Sequence, residues 1–221
     1  MNDEAALRAA IVAHPDEDTP RLIYADWLDE NDQPERAEFI RLQCAVDTDE
    51  AADARAAELE ERNRGKWLVG LPQFSGAKWE FSRGFPEILT IAGQLFMERY
   101  EAFVRVPWVR VLCLYEIRHW VTVGLADGRP WNPNWVELEL QEPQDGIFSR
   151  TLTIEALARC SHARQLRVLR LTYFDLPPDT VQALIDSPHL QQLRHLVVDQ
   201  SNGPGRLGPL RKRFGDRLVV E

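Results

Sequence analysis

The residues TIEALARCSHARQLRVLRL (153–171) align without a gap on TVQALIDSPHLQQLRHLVV (180–198), twenty-seven positions further along the chain. Eight of the nineteen positions are identical, and the apolar positions agree throughout. Each copy reads as a helix, a short turn and a strand, because the apolar spacing passes from the helical period to the alternating one. The strand parts, Leu166-x-x-Leu169-x-Leu171 and Leu193-x-x-Leu196-x-Val198, recur in looser form. Val109/Leu112/Leu114, Trp135/Leu138/Leu140, Pro86/Leu89/Ile91 and Gly215/Leu218/Val220 are further copies. Their last positions fall at 91, 114, 140, 171, 198 and 220, an irregular period of 22 to 31 residues. One strand and one helix cannot bury their own apolar faces, whereas units stacked with parallel strands can.

This pattern resembles helix-bearing leucine-rich repeats. The asparagine usual after the strand is replaced here by Phe174, Pro143 and Ile117, so no regular asparagine ladder is expected. The segment IRHWVTVGLADGRPWNPN (117–134), with Trp120, Trp131 and the turn signal Asp127-Gly128, reads as a loop or small hairpin inserted in the array.

Strand alternation assigns a working face. The leucines point into the stack, and the residues between them point to the other face of the sheet. This gives three outward ranks. The first is Ile88, Val111, Glu137, Val168, His195 and Arg217; the second is Thr90, Cys113, Glu139, Arg170, Val197 and Val219; the third is Ala92, Tyr115, Gln141, Thr172, Asp199 and Glu221. The candidate partner-binding residues are Val111, Cys113, Tyr115, Glu137, Glu139, Val168, Arg170, Thr172, His195, Val197 and Asp199. Glu137 and Glu139 face Arg170 as a cross-strand ion pair worth little if exposed. Ile88, Val111, Val168 and Val197 form an apolar stripe, to be covered by a partner or by the N-terminal helices.

The first seventy residues read as helices. Residues 3–13 place Leu7, Ala10 and Ile11 on one face, and His14-Pro15 ends that helix. A second starts at Asp18-Thr19-Pro20, with Asp18 as cap, and carries Leu22, Ile23, Trp27 and Leu28 as its apolar set, Trp27 in the core. After Asn31-Asp32-Gln33-Pro34 a third carries Ala37, Phe39, Ile40 and Leu42-Gln43. Residues 49–64 are helical but polar, a solvated connecting helix. HPDEDTPRLIYADWLDEN (14–31), together with PERAEFIRLQ (34–43), resembles the bacterial repeat-companion domain, a short helical module commonly N-terminal to leucine-rich repeats. The resemblance covers about residues 3–44, and RGFPE (83–87) resembles the stretch C-terminal to that module in such proteins. It implies architecture and carries no activity. Asp26 is expected to hydrogen-bond within the module.

The expected fold class is therefore α/β: a helical module (1–47), a connecting helix (48–70) and a short leucine-rich-repeat-like solenoid with a parallel sheet (71–221).

Residues 1–70 hold 8 Lys/Arg against 18 Asp/Glu, and residues 71–221 hold 18 against 17, within a formal net charge of −9. An acidic N-terminal part repels phosphate backbones, so nucleic acid is not the expected partner. The basic cluster Arg206, Arg211, Lys212, Arg213 and Arg217 reads as a solvated cap on the last unit. No apolar run spans a bilayer, and the opening Met1-Asn2-Asp3-Glu4 lacks a basic-then-apolar leader pattern. Three widely spaced cysteines, Cys44, Cys113 and Cys160, suit a reducing cytoplasm.

Catalytic motifs are missing: no nucleophile elbow, no phosphate-binding glycine loop, no His-Glu-x-x-His helix. No cofactor or metal site is expected; Asp16-Glu17-Asp18 is read as capping, and His162 and His189 as sharing a turn role. The leading expectation is a non-catalytic protein-interaction module with a protein partner. The alternatives are an enzyme built around Cys113, Tyr115 and Glu139, and a structural protein that self-associates.

Overall fold

The computed structural model describes residues 3–45, 49–142 and 151–221. The chain is mixed α/β, with ten α-helices among the described residues and a seven-stranded sheet whose strands run in chain order. Strands two to seven pair in parallel. Two compact units are present: Met1–Pro72 with Trp79–Glu87, and Gln73–Lys78 with Ile88–Glu221.

The first unit contains α1 (Asp3–Ala13), α2 (Thr19–Glu30), α3 (Pro34–Cys44) and α4 (Glu50–Trp67), with most of β1 (Ala77–Ser82) and the start of β2 (Phe85–Ala92). Helices α2 and α3 begin with Pro20 and Pro34, whose missing N–H costs nothing in a first turn. Asp18 precedes α2 as expected but makes no cap; its carboxylate accepts from Arg83 Nε at 2.8 Å. The expected apolar set of α2 is also corrected. Its buried residues are Arg21, Tyr24, Ala25 and Leu28, while Leu22 and Ile23 are exposed. Trp27 is half-buried and stacks on Tyr24, with ring centroids 5.8 Å apart.

Arg21 turns inward because three acceptors await it. It pairs with Glu87 and donates to Pro15 O at 3.1 Å and Arg83 O at 3.3 Å. Burial lowers its pKa and the Glu87 carboxylate opposes that shift, as two charges withdrawn from water require. The β1–β2 turn, Arg83-Gly84, has positive φ at both residues, +49° and +84°. A Cβ on Gly84 would lie 2.5 Å from Ile40 Cγ1 and 2.9 Å from Ile40 Cα, so only glycine lets this turn touch α3. Gln43 Oε1 accepts from Gly84 N at 2.7 Å, and Arg36 donates to Gly84 O.

The Arg36 guanidinium lies against aromatic rings, 4.5 Å from the Trp67 centroid and 5.2 Å from that of Phe81. Its buried Nη1 has no hydrogen-bond partner, and these ring faces supply attraction instead. Burial pulls its pKa down to about 10, still charged at neutral pH. Helix α4, expected as a solvated connector, packs on α3 through buried Leu59 and Asn63. Arg55–Glu38 at 2.8 Å and Arg62–Glu35 at 3.0 Å tie the two helices.

The second unit alternates strand and helix. After α5 (Gly93–Glu98) and α6 (Tyr100–Phe103) come β3 (Val111–Tyr115), α7 (His119–Ala126), β4 (Glu137–Gln141), α8 (Thr151–Arg159), β5 (Val168–Thr172), α9 (Pro178–Asp186), β6 (His195–Val198), α10 (Gly203–Phe214) and β7 (Leu218–Val220). Residues 117–134 are thus no inserted loop or hairpin. They supply α7, which packs on α8, and Val121 and Leu125 on it are fully buried. Trp131 is likewise core, donating Nε1–H to Leu125 O at 2.9 Å. It stacks on His162, with ring centroids 6.1 Å apart.

Polar side chains join each unit to the one before. Asn132 Nδ2 donates to Val106 O at 2.7 Å, Gln165 Nε2 to Asn132 O at 2.7 Å and Trp135 O at 2.8 Å, and Ser187 Oγ to Ala158 O at 2.5 Å. Asn202 Nδ2 donates to Phe174 O at 3.0 Å, while its Oδ1 accepts from Leu176 N at 2.8 Å. Each link spans 26 to 33 residues. They pair side-chain donors and acceptors with backbone groups of the preceding strand–helix segment.

Candidate interaction face of the sheet

The parallel register places the outward residues side by side. Ile88 pairs with Val111, Val111 with Glu137, Glu137 with Val168 and Val168 with His195. The second rank runs Thr90, Cys113, Glu139, Arg170, Val197 and Val219 without a break. In the third, Ala92 pairs with Tyr115 and Gln141 with Thr172. Arg217 lies in a 3-10 turn before β7 rather than on the strand. In β3, β4 and β5 the leucines are buried and the residues between them half-exposed. Strand alternation, with one face buried and the other partly open, produces this division. Val197 departs from the expected exposure: it is only 4% exposed, so it does not present a surface.

Charge on this face is organised around Arg170. Its Nε lies 3.8 Å from Glu139 Oε2, its register partner, and its Nη1 bonds Glu221. Glu137 stands in register with Val168 instead, and burial raises its carboxyl pKa. Cys113 Sγ lies 3.6 Å from Glu139 Oε2. Burial first, and then the Glu139 carboxylate, push the thiol up to about 12. A nucleophilic cysteine needs a depressed pKa, and this arrangement does the reverse. Tyr115 donates its hydroxyl to Gly76 O at 3.3 Å. Within the trio Cys113, Tyr115 and Glu139, burial and the Glu139 carboxylate favour the protonated thiol.

Asp199 accepts from the backbone N–H of Tyr173, a half-exposed residue held at φ +65° just beyond β5. Glu116 occupies the matching place beyond β3, at φ +52°. Sequence reasoning misses both residues, since nothing in a tyrosine or glutamate announces a left-handed backbone.

The C-terminal basic cluster is largely spent within the fold. Arg206 pairs with Asp175, Arg213 Nε donates to Ile185 O at 3.2 Å, and Arg217 Nη1 to Gln191 O and Leu193 O at 3.2 and 3.1 Å. Arg211 and Lys212 remain exposed. Among the described residues, no group of three or more His, Cys, Asp or Glu could hold a metal ion. Among the same residues, no helix is long and apolar enough to cross a membrane. Asp26 acts as expected, accepting from Arg41 Nη2 at 2.6 Å within the helical unit.

No family model, curated protein or solved structure matches the chain.

Proposed function

We propose that the chain is a non-catalytic protein-interaction module: a helical repeat-companion-like module, then a short leucine-rich-repeat-like solenoid that binds a protein partner on its outward sheet face. One observation carries the reading. Parallel sheets are ordinarily covered on both faces, yet here the leucine face is buried while the opposite face keeps half-exposed, in-register ranks. Open faces of this kind belong to repeat proteins, which bind along them. Val111 and Val168 give the face apolar contacts, and Glu137, Glu139, Arg170 and His195 give it polar specificity.

A photo-crosslinking amino acid at His195, which is exposed on β6, tests this in lysate of the native host. A discrete adduct is expected. Excess wild-type protein should compete it away, whereas protein carrying Val111→Glu and Val168→Glu, shown to be folded by circular dichroism, should not. An identical adduct from a probe at Gln182, on the exposed side of α9, would overturn the assignment of the face. Equal competition by the double variant would do the same.

A further inference from the structure

We propose that the exposed face of α2 is a second docking surface, built to receive a cationic amphipathic helix from a partner protein. It lies within the helical unit and stands independently of the sheet face. Leu22 and Ile23 are adjacent, 38% and 50% exposed, on a helix whose opposite face is fully packed by Tyr24, Ala25 and Leu28. Their exposure is therefore not slack packing. One turn further on is Asp26, with its side chain 71% exposed, and then Asp29 and Glu30. Arg41 contacts both aspartates, Asp26 at 2.6 Å and Asp29 at 2.7 Å, so one cation answers two anions. An apolar centre with a charged rim is the anatomy of a protein interface.

Charge decides the occupant. Residues 1–70 carry ten more acids than bases, which repels nucleic acid and anionic lipid alike. The apolar pair at 22/23 and the acids at 26 and 29/30 recur every three to four residues. Their complement is a helix with an aliphatic pair and Lys or Arg one and two turns away. The most basic helix among the described residues of a second copy does not offer one. This helix, α10, turns Gly208, Pro209, Arg211 and Lys212 outward and buries Leu207, Leu210 and Phe214.

The probes are two designed helical peptides of identical composition, one with a leucine pair flanked by lysines along one face, the other scrambled. Isotope-labelled full-length protein is titrated with each and monitored by amide chemical shifts. The patterned peptide should shift α2 amides and bind at least tenfold more tightly than the scrambled one. Leu22→Ser with Ile23→Ser, at positions that leave the buried face intact, should weaken it tenfold or more, and Asp26→Lys with Glu30→Lys similarly. Comparable binding of the two peptides, shifts centred outside α2, or unchanged affinity in either double variant would overturn the proposal. So would α2 shifts on simple dilution of the protein, which would mean that a second copy occupies the face.

Discussion

At the scale of single residues, environment overrides identity. Cys113 is a thiol on the half-exposed side of a strand, yet burial and the Glu139 carboxylate hold its pKa at about 12 against an ordinary value of 9.0. The folded chain therefore keeps a proton that the unfolded chain releases. Stability from this group is whole below pH 9 and falls as the pH climbs from 9 towards 12. Urea unfolding across that range should show a steeper alkaline loss in wild type than in Cys113→Ser. Equal slopes would mean that the thiol is not held neutral by the fold. Iodoacetamide at about pH 8 should correspondingly modify Cys113 more slowly in the native protein than in the urea-unfolded chain.

At the scale of elements, the pairing of Arg21 on α2 with Glu87 on β2 organises the helical unit. Removing one partner of such a buried pair strands the other, at a cost of about 3–5 kcal/mol. Arg21→Met is expected to destabilise the protein on that order in urea unfolding. Arg21→Met combined with Glu87→Leu should cost less than Arg21→Met alone; a purely additive loss would show that the two charges do not depend on each other. The same pair explains why hydrophobic spacing misplaces part of α2. That spacing puts Leu22 and Ile23 inside, but an arginine inside is invisible to it, because two of its three acceptors lie sixty-odd residues away. The strands are legible for the opposite reason. Leu112, Leu138, Leu169 and Leu196 lie level in the sheet, and that register is written as local alternation. Helix α7 is hidden because Gly124 lies within it and the turn signal Asp127-Gly128, which holds, falls directly after it, and packing against α8 outweighs the glycine. Strand β1 is hidden because AKWEFS has no leucine pattern. Of the candidate face, the ranks can be read from sequence; the burial of Val197 and the bond from Arg170 to Glu221 cannot, since both depend on several strands at once.

At the scale of the whole molecule, the helical unit does not end where its helices do. Trp79–Glu87 belongs to it, supplying Glu87 and the carbonyls of Arg83 and Gly84 to Arg21 and Arg36. A fragment of residues 1–87 should therefore melt cooperatively by circular dichroism, while residues 1–70 should show helical signal without a cooperative transition. Equal melting of the two would show that the turn contributes nothing to folding. The links between strand–helix units run the other way along the chain. Asn202 closes the backbone at Phe174 and Leu176, Ser187 at Ala158, and Gln165 at Asn132 and Trp135. During synthesis each of these side-chain links thus forms only once the successor segment has left the ribosome. With links of 26 to 33 residues and translation at about 5–20 residues per second, that wait is on the order of seconds. A stall within the array leaves the youngest unit, and only that one, open at its seam.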